Sequence, residues 1–465
     1  MGTDPVAQNA VEQFAPEHFP SECLILGFTG SLGSGCTYIS EEVARLQEFY
    51  HCELSAPIRA EAKRRGDEGI ESKQRIGNQM RLDEGPGCLA KKAIEAADQE
   101  WDPARHKGIV LAGIRNLGEV AVLRQFPNFF LFSIHADKDK RFERLCIEGR
   151  VKYREEFDRV DEHDSEERPS YGQQVKRCNY VADVIFNNDE DLPPTASTKK
   201  EHYVRDRFIN RYVVLIQRLI AGESVHEFPP TASEAFMTMA YCESARSACL
   251  KRKVGAVIAR LHTDTEGREH GYVLSSAFND VPEGQKPCVF QDGLYMCARD
   301  RLQEDFALRM VHCPACGRKI EQKFQCRHCS GELATFSKVC RHCKKDPEID
   351  IACECGSRVY STFVPGASRG SGKLLDMCRS LHAEENAIVR LARSAASIDD
   401  EAVLYTTTFP CNLCANKIAE VGIKRVVYAE PYTMRDAEET LKKRNVRVDK
   451  FEGVKSWAFF RLYGR

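Results

Sequence analysis

Ser380-Leu381-His382-Ala383-Glu384-Glu385-Asn386-Ala387-Ile388, followed by Pro410-Cys411-Asn412-Leu413-Cys414, places one imidazole and two thiols in a short compass. His382, Cys411 and Cys414 form a three-donor set for zinc with a fourth position open, the arrangement of a catalytic rather than a structural metal site. Glu384, two residues past the histidine, is a carboxylate placed to carry protons beside such a metal. Glu384 to Ser394 predicts a helix with Ala387, Ile388, Leu391 and Ala392 on its buried stripe. A second helix is expected from Cys411 to Val421, which turns both sulfurs to one side. Pro410 and the positive end of that helix dipole favour thiolates there. A C-x-x-C alone reads as a structural knuckle or a redox pair. The upstream His-Ala-Glu and the strand-like flanks argue against that reading here.

The H-x-E…P-C-x-x-C spacing resembles that of the zinc nucleobase deaminases. From Ser233 onward the chain resembles deoxycytidylate deaminases, with one insertion. A helix over Ser233 to Ser247 and strands over Val254 to Ala259 and Tyr272 to Asn279 match that family's opening. Val426 to Tyr432, a helix through Leu441, and Phe451-Glu452-Gly453-Val454 match its close. The resemblance implies a three-layer α/β/α fold with Glu384 as general acid and base. It also implies that Asn279 contacts the nucleotide sugar or phosphate. Tyr428 and Tyr432 are candidates to line the pocket. Read from the residues alone, Asn279 is equally a turn residue and the tyrosines are packing residues.

The 465 residues predict two or three domains, and a net charge of −2 offers no general argument for nucleic-acid binding. No stretch is long and apolar enough to span a bilayer, and the first residues lack a charged-then-apolar signal. A soluble, cytoplasmic protein with no membrane partner is expected. Twenty-one cysteines then point to zinc and reduced thiols rather than disulfides.

Residues 1–19 read as a loose tail, and 20–225 as a P-loop parallel-sheet domain. Cys23 to Phe28 predicts a buried strand, followed by Gly30-Ser31-Leu32-Gly33-Ser34-Gly35-Cys36-Thr37 and a helix from Tyr38 to Tyr50. Strand, glycine loop and helix together form a phosphate cradle, in which Gly30, Gly33, Ser34, Gly35, Cys36 and Thr37 would meet a nucleotide. Thr37 offers a hydroxyl to an accompanying magnesium ion. Ile109 to Asn116, Phe130 to Ile134 and Val184 to Asn187 predict further buried strands alternating with helices. This half resembles deoxynucleoside-monophosphate kinases and their relatives, with Gly113-Ile114-Arg115-Asn116, Glu119 and Arg124 matching a family stretch that brings Arg115 to the nucleotide. Arg141, Arg144 and Arg150 fall where the family's phosphate-clamping lid would be. Cys36 stands in place of the P-loop lysine, and Ala112 in place of a strand-end carboxylate. Binding without phosphoryl transfer is therefore expected.

A helix from Lys199 to Ala221 and a Gly222…Pro230 break put a boundary near 226, with the deaminase-like domain over 226–465. About a hundred residues separate Asn279 from His382, more than a compact connection needs. They carry Cys313-x-x-Cys316, Cys326-x-x-Cys329, Cys340-x-x-Cys343 and Cys353-x-Cys355, which predict two structural Cys₄ zinc ribbons over 310–357. The segment is locally basic, so a regulatory RNA, another subunit or plain solvation are all open there.

The resemblance covers nearly the whole chain and is to fusions of a P-loop kinase-like domain with a deoxycytidylate deaminase. Known members of that group are bacterial phage-defence enzymes that drain the dCTP pool. It implies zinc-dependent deamination of dCTP or dCMP, gated by a regulatory nucleotide in the first domain of a homo-oligomer. The competing readings are a polynucleotide deaminase and a zinc-dependent nucleic-acid-binding regulator.

Overall fold

The computed structural model describes residues 23–67, 69–165, 170–189, 208–221, 229–265, 269–287, 349–352, 358–361, 378–394, 397–431 and 435–463. The tail and the eight cysteines of the expected ribbons, with their proposed RNA contact, lie outside these residues, as does Tyr432.

The first sheet grows from β1 (Leu24–Thr29), whose six residues are all buried, as expected of a central parallel strand covered on both faces. β3 (Gly108–Ala112) and β2 (Phe49–Glu53) lie on one side of it, and β4 (Phe129–His135) and β5 (Val184–Asn187) on the other, all parallel. The chain thus leaves β1 in both directions across the sheet. The crevice at the C-terminal end of β1 is a topological switch point, where open α/β sheets bind ligands. The glycine loop sits there. The helix that follows spans Cys36–Gln47, two residues earlier than predicted at its start. It ends at Glu48 in a left-handed conformation, so Phe49 and Tyr50 open a strand instead of closing the helix.

The second sheet has the order β12-β11-β10-β6-β7. β6 (Gly255–Thr263) and β7 (Glu269–Phe278) form an antiparallel pair against β10 (Ala402–Thr408), while β10, β11 (Arg425–Glu430) and β12 (Arg447–Lys450) run parallel. Helices Ala383–Arg393, Asn412–Val421 and Arg435–Lys443 supply one face, burying Ala387, Leu391, Ile418 and Leu441 against Ile258, Leu404 and Val426. Helix Ala232–Ala245 covers the other, with Phe236, Met237 and Ala240 against Val257, Tyr405 and Val427. That helix lies so close to β6 that a Cβ at Gly255 would fall 1.9 Å from the Ala240 carbonyl oxygen. A short antiparallel pair, β8 (Ile349–Ala352) and β9 (Arg358–Ser361), flanks the Cys353–Cys355 stretch.

The chain's last segment is built onto the first sheet. β13 (Gly453–Val454) adds antiparallel to β5, and helix Ser456–Tyr463 sets Ala458 and Leu462 into the core around Phe208, Tyr212 and Phe132. Ile185 of β5 in turn packs with Phe236 and Phe451, so the cores meet. Of the helix expected from Lys199 to Ala221, residues 199–207 are outside the description; Ile209–Val213 forms a π turn that continues as helix Val214–Ile220.

Candidate active site

His382 caps helix Ala383–Arg393, and Cys411 caps helix Asn412–Val421 directly after Pro410. Both helices start at the same edge of the second sheet. Cys411 Sγ lies 3.2 Å and Cys414 Sγ 3.4 Å from His382 Nδ1, and all three donor atoms fall within 4.8 Å of one another. Two helix N-termini converge on the cluster, which favours anionic sulfur. Glu385 holds the pair of helices together: it accepts from the His382 amide at 3.4 Å and pairs with Lys417 on the facing helix. A carboxylate three residues past the cap is a capping-box position, so this contact was open to sequence reasoning.

A hydrogen bond from Cys414, with His382 beside it, pulls Cys411 down to about 4. Donating that bond, and burial, drive Cys414 well up. The Cys411 thiolate raises His382. One imidazole and two sulfurs fit a tetrahedral zinc with one place left for a non-protein ligand. Glu384 is buried in the first turn of its helix, with Oε2 3.6 Å from Cys414 Sγ, and burial raises its pKa. The buried stripe of this helix runs through Ala383, Glu384, Ala387 and Leu391; Ala392, expected on it, is exposed because it lies past the arc those positions define.

Asn279 is buried at the end of β7, where its Oδ1 accepts from Val254 N at 2.8 Å and its Nδ2 donates to Arg252 O at 2.9 Å. Its side chain shapes the turn into β6. The Tyr428 ring is buried against Phe409 at 4.9 Å, edge to face, two residues from Cys411. Phe409 had no signal in the sequence beyond its place before the proline.

In the first domain the loop takes positive φ at Gly33 (81°) and Gly35 (88°), where a side chain would be strained. The structure brings Arg115 to this loop: its guanidinium pairs with Asp164, whose other oxygen accepts from Leu32 N at 3.2 Å. Arg115 is itself framed by Glu119, which accepts from Arg115 N at 2.8 Å, Asn116 N at 3.0 Å and the buried Arg81 at 2.9 Å. Arg141 and Arg144 reach the loop from helix Lys138–Ile147. They donate to Leu32 O at 3.1 Å, Gly33 O at 3.4 Å and Ser34 O at 3.5 Å. Cys36 opens the helix, and burial pushes its thiol up to about 12, so it contributes no charge. Glu53, level with Ala112 at the end of the adjacent strand, supplies a carboxylate on this edge; it accepts from Ser55 at 2.9 Å and pairs with Arg59.

Residues 230–430 match the family model of the cytidine and deoxycytidylate deaminase zinc-binding region. Deoxycytidylate deaminase of Schizosaccharomyces pombe is 24% identical over 352 residues, 75% of this chain and 78% of that protein. Its counterpart from Enterobacteria phage T4 is 27% identical over 196 residues, 42% of this chain and 76% of that protein. Among solved structures, dCMP deaminase of cyanophage S-TIM5 in complex with dCMP and dUMP matches at 23% identity and a TM-score of 0.24, over 47% of this chain and 95% of that one. Among the described residues no helix is long and apolar enough to cross a membrane.

Proposed function

We propose that this chain hydrolyses the exocyclic amine of deoxycytidine nucleotides, dCTP or dCMP, to give deoxyuridine nucleotides and ammonia. The observation that carries the reading is a buried carboxylate, Glu384, beside a convergent His382–Cys411–Cys414 donor set. A structural zinc has no use for that carboxylate. Zinc held by the three donors would lower the pKa of a water toward neutrality. Glu384 would take a proton from the attacking water and pass it to N3 of cytosine as the water's oxygen adds at C4. It then takes the hydroxyl proton of the C4 adduct and delivers it to the exocyclic amine, the C4–N bond breaks, ammonia leaves and uracil remains. Its raised pKa suits a group that must hold a proton between two transfers. Tyr428 packs edge to face on Phe409, which precedes Cys411 by two residues.

In this reading the Gly30–Thr37 loop holds the phosphates of a regulatory nucleotide, with Arg115 beside it, and gates deamination without transferring phosphate. Cys36 brings no cation to neutralise a transferred group. The cellular role that follows is depletion of dCTP during phage infection. Incubating purified protein with dCMP, dCTP, CMP and a cytosine-containing single strand, with ammonia and uracil products measured, tests the substrate class. Deamination of the strand alone would overturn it.

A further inference from the structure

At the C-terminal edge of the first sheet, the glycine loop after β1 touches the turn after β5. Asn188 donates from Nδ2 to Ser34 O at 2.8 Å, and its backbone donates to His135 O at 2.7 Å. Arg144 joins the two, donating to Asn188 O at 2.7 Å and to Ser34 O at 3.5 Å. The approach is tight: a Cβ at Gly35 would lie 2.4 Å from Asn188 Nδ2.

The neighbours of Asn188 face the second sheet. Asn187 donates from Nδ2 to Lys450 O at 3.2 Å and to Phe451 O at 3.3 Å, and from its backbone to Glu452 Oε2 at 3.0 Å. Asp189 Oδ2 lies 2.8 Å from Lys450 Nζ, which also meets Asp137 in the turn after β4. Lys450 ends β12 opposite Tyr428 on β11, and Phe451 N donates to Tyr428 O at 2.7 Å. The Tyr428 ring then meets Phe409, in the run that ends at Cys411. From Ser34 to Cys411 the path is hydrogen bonds, one ion pair, one ring contact and short stretches of backbone, through buried or half-buried groups.

Resting on the reading that the loop takes a phosphate and the second site deaminates, we infer that Asn188, Asp189 and Lys450 are positioning residues that carry the state of the loop to the seat of Cys411. An oxyanion drawn onto the loop's amides acts on the same peptide units whose carbonyls Asn188 and Arg144 hold. Coupling requires that the two states of the loop favour different placements of this segment. Packing this close makes small loop shifts hard to absorb locally.

The test uses the full-length, zinc-loaded chain and needs no ligand, because Gly35→Ala pushes at the loop end directly. Hydrogen exchange over 425–431 and 447–452, zinc content, and kcat and KM for dCMP are measured. Gly35→Ala should speed exchange in both segments and lower kcat/KM about fivefold, at the small end of ordinary coupling between sites, with zinc content unchanged. Adding Asn188→Ala removes the colliding amide and should erase most of the response. Lys450→Met should reproduce the change in exchange and Lys450→Arg should restore it; this pair stands if Gly35→Ala fails to fold. Unchanged exchange in folded Gly35→Ala, an undiminished effect in the double variant, or Lys450→Met matching wild type overturns the link. Because exchange is read without turnover, a chain that shows the pattern but does not deaminate refutes the deaminase reading and leaves the link standing.

Discussion

Arg81→Met is expected to destabilise the first domain by about 3 kcal/mol, the lower end of the cost of breaking a buried ion pair. Arg81 and Glu119 are 1% and 0% exposed, and their contact is 2.9 Å. Removing the guanidinium leaves a carboxylate away from water. The backbone amides of Arg115 and Asn116 still bond it at 2.8 Å and 3.0 Å, which keeps the loss near the bottom of the range. Glu119→Gln in the same chain removes the stranded charge and should recover at least about 1 kcal/mol of that loss. Urea unfolding followed by Trp101 fluorescence in a Trp457→Phe background reads the first domain. A loss below about 1 kcal/mol in Arg81→Met, or no recovery in the double variant, would refute the claim that this pair is a desolvated unit. The consequence reaches the loop, since Glu119 frames the backbone of Arg115.

Glu384→Gln should lower deamination by about 10²–10⁴ while zinc content and fold stay as they were, checked by steady-state kinetics and elemental analysis. The expected catalytic ion and the two expected ribbons predict about three zinc ions per chain by elemental analysis, and Cys411→Ser should remove about one of them. Burial lifts Glu430 from 4.5 to about 7. Between those values the folded chain keeps a proton that the unfolded chain releases, so stability falls as pH rises, by up to about 3 kcal/mol. Burial lowers Lys455 from 10.5 to about 8, so above pH 8 the unfolded chain binds the extra proton and stability rises again. Melting across pH 5 to 10 should show the trough, and Glu430→Gln should remove its acid side.

The parts of this molecule written in local spacing were legible before the structure. His382, Glu384, Cys411 and Cys414 each stand at the start of a helix, and helix starts have residue signatures. β1 and β4 are apolar runs of strand length. What stayed hidden depends on partners far along the chain. Phe49 and Tyr50 read as the end of a helix because only the left-handed Glu48 breaks it, and nothing marks that residue as a stop. β13 is two residues long, too short to show any period, and its place is set by pairing with Val184 and Ile185. The bonds from Arg141 and Arg144 to carbonyls of the loop join residues more than a hundred positions apart, which no local pattern shows.

Because β13 and helix Ser456–Tyr463 complete the first sheet, that sheet waits for residues made long after its other strands. During synthesis the outer edge of β5 stays unpaired until Gly453 and Val454 are made. An exposed strand edge is a template for pairing with another chain. A nascent or truncated protein therefore carries an adhesive flank that the finished one hides, and an amino-terminal fragment ending at the midpoint would lack both the strand and the apolar helix that seal it. Gly453–Val454 and helix Ser456–Tyr463 thus seal an edge and a core built by residues far earlier in the chain.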